Sequence, residues 1–272
     1  MAAFVPSSAA FASAFTASRN ATCAPLARQS RGVARVSGGV RMAAGVDDKA
    51  VVTEYFNNKG FDRWNRIYSE DGEVNKVQLD IRNGHAQTVQ TVLQWFDQDD
   101  NTDALTVCDA GCGVGSLSLP LLYRGAVVTA SDISEAMVNE AKRRAQQLMP
   151  HLMNKASFST MDLESITGTY NTVCCIDVMI HYPTENAVQM IAKLAQCAEK
   201  RLIISFAPKT LWYLILKRIG DFFPGPSKAT RAYLHAEDDV RRALENNGFK
   251  VRRTGFTGTS FYFSRVLEAV KE

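Results

Sequence analysis

The stretch from Leu105 to Gly115, LTVCDAGCGVG, constrains this sequence more than any other. It begins with a short apolar run typical of a buried strand and then turns through Gly111, Gly113 and Gly115. Leu117 and the leucines after it resume an apolar pattern suited to a helix. A strand-to-helix turn that lets a ligand touch the backbone has no room for a Cβ atom, so glycine is needed there. The stretch therefore predicts a nucleotide-type ligand at the carboxyl end of a strand.

Two acidic residues near these glycines narrow the choice of ligand. The glycine pattern is G-x-G-x-G followed by Ser116, which fits a dinucleotide fingerprint poorly. Asp109 adds negative charge, which disfavours a pyrophosphate and favours a cationic ligand. Asp132 follows a second apolar run, 21 positions after Gly111, close to the spacing at which an acidic residue binds ribose hydroxyls. Together these residues indicate S-adenosylmethionine, which carries a sulfonium and an amino group.

These residues resemble motifs I and II of the class I S-adenosylmethionine-dependent methyltransferases. A tight turn with a solvated aspartate is the plainer alternative. For Asp162, which follows the third predicted strand, a simple helix cap is an equally good interpretation. With the methyltransferase pattern, S-adenosylmethionine is a co-substrate, and the residues expected to bind it are Asp109, Gly111, Gly113, Gly115, Asp132, Ile133, Met137, Asp162, Leu163 and Asp177.

The first 46 residues differ in composition from the rest of the chain. They contain five arginines, no lysine and no acidic residue, and they are rich in Ala and Ser. This composition is typical of an organelle transit peptide, and the lack of a continuous apolar run argues against a secretory signal. We predict a transit peptide over residues 1–42, with an ordinary disordered tail as the alternative. Composition alone does not distinguish a chloroplast from a mitochondrial address.

The remaining composition excludes several classes of protein. The positive net charge of +3 arises from the arginines of the first 46 residues, since 26 basic and 28 acidic residues remain without them. Nothing in the remaining composition indicates nucleic-acid binding. No apolar stretch is long enough to span a membrane. The cysteines show no metal-ligand spacing, so we expect no protein-bound metal and buried, reduced thiols. A disulfide between Cys108 and Cys174 or Cys175 is the alternative, because these residues would lie on adjacent strands.

The segment between the leader and the glycine stretch predicts an amino-terminal arm over residues 47–84. Asp48 lies at the start of a predicted helix, and Trp64 belongs to a second short helix. Gly84 precedes a longer predicted helix, so the methyltransferase domain is expected over residues 85–272.

The run from Thr172 to Ile180 is apolar except for Asp177 and predicts the central fourth strand of a parallel sheet. His181 follows it directly. In open α/β sheets the carboxyl ends of the strands carry the ligands, which places Asp177 and His181 beside a methyl acceptor. A loop histidine with ordinary partners is the plainer alternative. A helix over residues 187–200 is expected next.

Seven strands are predicted in all. The last two, over residues 249–256 and 260–270, form a hairpin about Gly258 that closes the sheet in antiparallel fashion. The fold class is therefore α/β and Rossmann-like: a seven-stranded, mostly parallel sheet with an antiparallel last strand, a helical arm and an insertion after the fifth strand.

That insertion, residues 209–235, combines apolar and basic character. The run from Leu211 to Leu216 is wholly apolar, and the segment contains five Lys or Arg residues and a single acidic residue, Asp221. Such a segment suits a flat apolar ligand with carboxylates, or a membrane surface. A helical hairpin that buries its own apolar face is the alternative.

Four further segments carry a narrower resemblance. They are EYFNNKGFDRW, RIYSEDGEVNKVQLDIRNGH, DVMIHYP, and SFAPKT followed by FPGPSKATRAYLH. Together they are similar to the magnesium-protoporphyrin IX O-methyltransferases of chlorophyll biosynthesis, from about Val51 to the carboxyl terminus. The resemblance implies methyl transfer from S-adenosylmethionine to a propionate of magnesium-protoporphyrin IX, giving the monomethyl ester. The magnesium then belongs to the substrate.

The same resemblance implies roles for individual residues. Tyr68 and His181 are tied to catalysis, and the arm folds over the site. The residues expected to contact the porphyrin are Lys209, Lys228, Arg231 and Tyr233. Ligation of the porphyrin magnesium is a less favoured role for His181, because Mg²⁺ prefers oxygen donors. A chloroplast location with peripheral contact to thylakoid or inner envelope is implied, with a magnesium chelatase subunit and the following cyclase as candidate partners.

Two rival functions stay open at this point. One keeps the fold and changes the methyl acceptor to a quinone or another small plastid metabolite. The other is a porphyrin-binding carrier, or a regulatory partner of magnesium chelatase, that has lost catalysis. The intact glycines and Asp132 argue against lost cofactor binding.

Overall fold

The computed structural model describes residues 48–68, 74–99, 102–209 and 232–272. The predicted transit peptide, Lys228, Arg231 and most of the insertion lie outside the described residues. None of the described helices is long and apolar enough to cross a membrane.

A seven-stranded sheet forms the centre of the described chain. Its strands are β1 (Thr106–Ala110), β2 (Val127–Asp132), β3 (Ala156–Thr160), β4 (Tyr170–Cys175), β5 (Ala198–Phe206), β6 (Phe249–Gly258) and β7 (Phe263–Lys271). They lie in the order β3-β2-β1-β4-β5-β7-β6. The first five strands pair in parallel, whereas β7 is antiparallel to both β5 and β6. The fold predicted from the sequence is confirmed.

Helices cover both faces of this sheet. They are α1 (Asp48–Asn57), α2 (Lys59–Ile67), α3 (Lys76–Gln98), α4 (Ser118–Tyr123), α5 (Glu135–Leu148), α6 (Thr184–Cys197) and α7 (Glu237–Glu245). One apolar core joins α6 and α7 to the sheet, and a second joins α3, α4 and α5 to its other face. The last four residues of β1 and of β4 are all buried, as expected for central parallel strands covered on both faces.

The helices α1 and α2 rest on the domain through polar contacts. The hydroxyl of Ser134, the N-cap of α5, donates to the backbone oxygen of Phe56 at 3.1 Å. Arg144 donates to the side-chain oxygen of Asn65 at 2.6 Å, and Lys49 pairs with Asp162 at 2.7 Å. These contacts hold the described part of the arm against the carboxyl edge of the sheet.

Three predicted boundaries were wrong. The helix expected after Gly84 begins at Lys76 and runs through Gly84 without a break, since Asn75 supplies a capping box at its start. The fourth strand ends at Cys175, because the next residues turn away in a 3₁₀ segment over Met179–His181. The helix expected over 187–200 is α6, which begins at Thr184.

The cysteines in the described ranges are free and buried. Cys108 lies opposite Val173 in the sheet, and Asp109 lies opposite Cys174. Burial raises the pKa of the Cys108 thiol to about 12, and it raises the pKa of Cys174 and Cys175 as well. The disulfide considered from the sequence is absent here, and these thiols are unreactive at neutral pH.

Candidate active site at the carboxyl ends of the strands

A cavity of about 410 Å³ lies at the carboxyl ends of β1, β2 and β4, with residues of α1, α2 and α3 on its other side. This edge of an open α/β sheet is where such folds bind ligands. The cavity is lined mainly by apolar and aromatic side chains, with a few polar groups among them. It therefore suits a ligand with a large apolar surface and a small number of charges.

The glycine turn forms one wall of this cavity. Gly111 has φ +83°, and a Cβ atom on it would lie 2.2 Å from Cγ2 of Val178. Gly113 has φ +52°, and a Cβ atom on it would meet nothing within 4 Å. Position 111 thus needs glycine for both its conformation and its packing, whereas position 113 needs it for conformation. The backbone at Gly113 stays open to a ligand.

Asp132, at the end of β2, supports this turn from below. Its two carboxylate oxygens accept from the backbone N–H of Gly113 and of Ser134, each at 2.9 Å. Burial raises the pKa of Asp132, and the hydrogen bonds from Ser134 and Gly113 oppose that rise. Asp132 also lines the cavity, so the same carboxylate fixes the loop and offers oxygen lone pairs to ligand hydroxyls.

Asp109 supplies a second buried carboxylate. It is 2% exposed, lies in β1 and accepts a short hydrogen bond from the hydroxyl of Ser118. Burial raises the pKa of Asp109 to about 6, against the lowering effect of that hydrogen bond. A buried anion on a cavity wall attracts a cation, and Asp109 forms no ion pair with any residue that the structure describes.

Tyr68 and His181 both line the cavity. Tyr68 follows α2, and its ring lies 4.4 Å from that of His85 between centroids. His181 ends the 3₁₀ turn after β4, and its ring meets that of Phe56 edge-on at 5.2 Å. The arm and the sheet edge therefore bring the two predicted catalytic side chains to one cavity.

The protonation of these two residues is set by burial. Burial lowers the pKa of His181 to about 4, although Asp177 acts in the opposite direction. His181 is consequently neutral at physiological pH, with one N–H donor and one lone pair. Burial and the nearby charges of Asp177 and Asp132 raise the pKa of Tyr68 well above its ordinary value, so its hydroxyl remains a donor.

Sequence reasoning missed the side chain of His85, which lies in the middle of α3. Its Nδ1 atom is 2.7 Å from Oδ2 of Asp177. The hydroxyl of Tyr262 donates to the same oxygen at 2.7 Å, and Ser205 and Ser264 donate to Oδ1 at 2.9 and 3.3 Å. The only sequence signal was the placement of His85 within one of the four narrow segments.

Asp177 is ionised within this network. Burial would raise the pKa of Asp177, but the hydrogen bonds from His85, Tyr262 and Ser205 outweigh it and lower the pKa. The backbone of Asp177 has φ +60°, which is unusual for a residue other than glycine. With four protein donors on its two oxygens, Asp177 is more an anchor for its neighbours than a direct ligand for a co-substrate.

Four cavity-lining residues carry buried nitrogen atoms without a hydrogen-bond partner among the described residues. They are Arg63 (Nε), Trp64 (Nε1), His85 (Nε2) and His181 (Nδ1). Unpaired buried polar atoms are costly and uncommon in proteins. Four around one cavity indicate a bound molecule with several hydrogen-bonding atoms, and the N–H groups of Arg63 and Trp64 suit an anion.

The cavity brings most of the predicted site residues together. Those that line it are Tyr68, Asp109, Gly111, Gly113, Asp132, Ile133, Met137, Leu163, Asp177 and His181. Gly115 lies outside the lining, against Leu119. Asp162 caps the 3₁₀ turn Leu163–Ser165, as the helix-cap alternative required, and pairs with Lys49.

The predicted porphyrin contacts are less fully described. Lys209 is exposed, and its backbone N–H donates to the oxygen of His235 at 2.7 Å. The backbone N–H of Tyr233 donates to the oxygen of Ile180, beside His181, at 2.8 Å. Lys209 and Tyr233 thus flank the site without lining the cavity, while Lys228 and Arg231 lie outside the described residues.

These residues fit S-adenosylmethionine. The carboxylate of Asp132 suits ribose hydroxyls, the buried carboxylate of Asp109 suits a cation, and the glycine backbone leaves room for close approach. Together with the seven-stranded sheet and its antiparallel β7, this site defines a class I S-adenosylmethionine-dependent methyltransferase.

Comparison with known proteins gives the family. A model described as "Methyltransferase domain" matches residues 107–201, and one described as "Magnesium-protoporphyrin IX methyltransferase C-terminus" matches residues 175–271. The chain is 58% identical over 228 residues to the magnesium-protoporphyrin O-methyltransferase of Synechocystis sp. PCC 6803, covering 84% of this chain and 98% of that protein. It is also 58% identical to the chloroplastic magnesium protoporphyrin IX methyltransferase of Arabidopsis thaliana, over 83% of this chain and 72% of that protein.

A solved structure agrees with the sequence relatives. The crystal structure of the Synechocystis magnesium protoporphyrin IX methyltransferase with bound SAH has a TM-score of 0.77 and 56% identity, covering 82% of this chain and all of that one. This chain therefore belongs to the magnesium-protoporphyrin IX methyltransferase family.

Proposed function

We propose that this protein transfers a methyl group from S-adenosylmethionine to a propionate carboxylate of magnesium-protoporphyrin IX, forming the monomethyl ester in chlorophyll biosynthesis. Family membership supports the reaction. The structural observation that carries it is the pairing, in one cavity, of buried aspartates suited to a cationic donor with unpaired N–H groups suited to a carboxylate.

The chemistry asks little of the protein beyond placement. A propionate has a pKa near that of a Glu side chain, about 4.3, so it is already anionic at neutral pH and needs no strong general base. S-adenosylmethionine supplies an electrophilic methyl group on a sulfonium leaving group. An O–CH₃ bond forms as the S–CH₃ bond breaks, the electron pair stays on sulfur, and no proton moves. The protein must strip water from the carboxylate and align it with the methyl group.

In this proposal Tyr68 and His181 orient the carboxylate by hydrogen bonds. Their presence in the lining of one cavity supports this role, as does the neutral state of His181. Asp109, Asp132 and the glycine turn bind the co-substrate. Apolar side chains from α1 and α2 cover the cavity and exclude water from the reacting atoms.

We also propose the domain organisation given by the sequence. Residues 1–42 are a transit peptide, residues 47–84 an arm that opens to admit ligands, and residues 85–272 the catalytic domain. The polar arm contacts of Lys49, Asn57 and Asn65 support such opening, because they are only part-buried and single contacts of this kind contribute modest stability. The 209–235 insertion contacts the porphyrin through Lys209, Lys228, Arg231 and Tyr233.

The reaction is tested by incubating the full-length protein with S-adenosylmethionine and magnesium-protoporphyrin IX. Mass spectrometry should detect the monomethyl ester, and its formation should follow the consumption of the methyl donor. Magnesium-protoporphyrin IX dimethyl ester is the matched control, because it has the same ring and no free carboxylate. A product from the dimethyl ester, or none from the diacid, would contradict the proposal.

A chloroplast location follows as part of the proposal. The name of the Arabidopsis relative and the acid-free leader support it. We place the protein on the surface of the thylakoid or inner envelope, near a magnesium chelatase subunit and the following cyclase, because its substrate is poorly soluble. Import of the full-length chain into isolated chloroplasts, followed by membrane fractionation and alkaline washing, tests this. Recovery only in the stroma would contradict membrane contact.

A further inference from the structure

We propose that His85 is a third residue that contacts the substrate carboxylate, through its Nε2 atom. This inference rests on the proposed function. His85 differs from Tyr68 and His181 in one respect. Its ring is hydrogen-bonded directly to the buried carboxylate of Asp177.

The two ring nitrogens of His85 have different surroundings. Nδ1 lies 2.7 Å from Oδ2 of Asp177, an ionised carboxylate that only accepts hydrogen bonds. The hydrogen on Nδ1 is thereby fixed in place. Nε2 is buried and has no hydrogen-bond partner among the described residues. Since His85 lines the cavity, Nε2 is the atom that remains for a ligand.

The ring itself is held firmly. Its face packs against Tyr68 at 4.4 Å between centroids, and Asp177 is held in turn by Tyr262, Ser205 and Ser264. Only the Nδ1 edge and the face of the ring are occupied by these contacts. A side chain immobilised in this way presents Nε2 in one direction, which is how a binding group is preorganised.

A carboxylate is the ligand this arrangement suits. With Nδ1–H directed at Asp177, a hydrogen bond to the propionate requires a second proton on the ring, at Nε2, and in the proposed complex the negative charges of Asp177 and of the propionate stabilise that proton. A propionate accepts from that N–H while it is anionic. Once the ester forms, the oxygen loses its charge and the hydrogen bond weakens, because charge-assisted hydrogen bonds are about twice as strong as neutral ones. His85 thus favours the acid over the ester and promotes product release.

Two substitutions separate the two ring nitrogens. In His85→Asn the side-chain amide replaces Nδ1 and retains a donor for Asp177, but nothing replaces Nε2. In His85→Gln the longer amide reaches the position of Nε2 and loses the contact with Asp177. Affinity is measured from the Soret absorption as magnesium-protoporphyrin IX, or its dimethyl ester, is titrated into the full-length protein. Turnover, the affinity for S-adenosylmethionine and the thermal melting of each variant are measured alongside.

If Nε2 contacts the carboxylate, His85→Asn binds the diacid about tenfold to a hundredfold more weakly, the loss expected for one charge-assisted hydrogen bond, and binds the diester as wild type does. His85→Gln recovers part of the diacid affinity. The proposal fails if His85→Asn matches wild type for the diacid, or if it loses diacid and diester equally. Absence of methyl transfer by wild type would instead overturn the proposed function itself, so the two failures are distinguishable.

Discussion

The imidazole of His181 meets the ring of Phe56 edge-on, with 5.2 Å between the ring centroids. Phe56 belongs to α1 in the arm, and His181 belongs to the turn after β4. Phe56 also packs against Trp64 of α2 at 6.3 Å. Helices of the arm thus cover the cavity through aromatic contacts with a residue expected to take part in catalysis, and we expect the position of the arm to affect the orientation of His181.

Truncation of the Phe56 ring tests that link. We expect Phe56→Ala to lower kcat/KM by about tenfold, because an aromatic pair contributes about 0.5–1.5 kcal/mol beyond the area it buries. Steady-state kinetics with magnesium-protoporphyrin IX measure the effect. Tyr123→Ala, which removes an exposed ring on α4, is the matched control and should leave kcat/KM unchanged. Equal kinetics in the two variants would show that arm closure does not depend on this contact.

Removal of the Tyr68 hydroxyl tests its proposed role in orienting the carboxylate. Because its pKa is raised, the hydroxyl is a hydrogen-bond donor throughout the working pH range. Tyr68→Phe removes one hydrogen bond and keeps the ring on His85, so we expect turnover to fall about tenfold while the affinity for S-adenosylmethionine is retained. Tyr170→Phe removes a hydroxyl at the start of β4 and serves as control. Unaltered turnover in Tyr68→Phe would remove this hydroxyl from the mechanism.

Asp132 should determine the affinity for S-adenosylmethionine. Asp132→Ala leaves the ribose hydroxyls without an acceptor and also frees the N–H groups of Gly113 and Ser134. We expect the Kd for S-adenosylmethionine to rise by about tenfold to a hundredfold, since a buried group left unsatisfied costs about 1–3 kcal/mol. Isothermal calorimetry gives the Kd. The exposed Asp238→Ala provides the comparison, and equal affinity in both variants would mean that the ribose is bound elsewhere.

His181 should make the folded protein sensitive to acid. Its pKa is lowered to about 4 by burial, whereas an unfolded histidine titrates near pH 6.5. The contribution of neutral His181 to stability is therefore present above pH 6.5 and is lost as the pH falls toward 4. Melting temperatures between pH 7.5 and 5 should fall less steeply in His181→Gln than in wild type or in the exposed His151→Gln. Parallel curves for all three would contradict the low pKa.

The seven strands and the fold class followed from the sequence because apolar runs and turn residues are local signals. The errors arose where a distant contact decided the outcome. Gly84 appeared to precede a helix, yet it lies inside α3, where a Cβ atom would come within 2.3 Å of the ring of Tyr262. The apolar run after Cys175 appeared to continue β4. Instead Asp177 adopts φ +60° and the chain turns, and Met179 is buried in the core beneath the site.

In the site, too, local sequence predicted some residues, whereas contacts between distant residues determined others. The placement of residues at or just beyond strand ends, such as Asp132 and His181, was predictable because the carboxyl ends of parallel strands meet at one edge. His85 had no such signal, since its partner Asp177 is 92 residues away and its helix position resembles any other. The role of Asp177 as the acceptor of four hydrogen bonds likewise depends on Tyr262 and on two serines from β5 and β7, which no local pattern connects.

The pKa of Asp109 leads to a prediction about pH. Burial raises this pKa to about 6 in the free protein, so the carboxyl gains a proton as the pH falls from 7 to 5. A protonated Asp109 no longer attracts a cationic ligand, and we expect the affinity for S-adenosylmethionine to decrease over that range. The affinity for S-adenosylhomocysteine, whose sulfur carries no charge, should be much less affected. In Asp109→Asn the affinity for S-adenosylmethionine should be lower at pH 7.5 and nearly independent of pH.

Calorimetric titrations of both ligands at pH 5, 6, 7 and 8 make the comparison, with the stability of the free protein followed by thermal melting. In the free protein, the effect of pH on stability has the opposite sign to that of a typical carboxylate. Protonation of Asp109 stabilises the fold; this contribution is fully present below pH 3.8 and is lost as the pH rises through 6. A wild-type affinity for S-adenosylmethionine that stays constant from pH 8 to 5 would contradict a direct electrostatic role for Asp109.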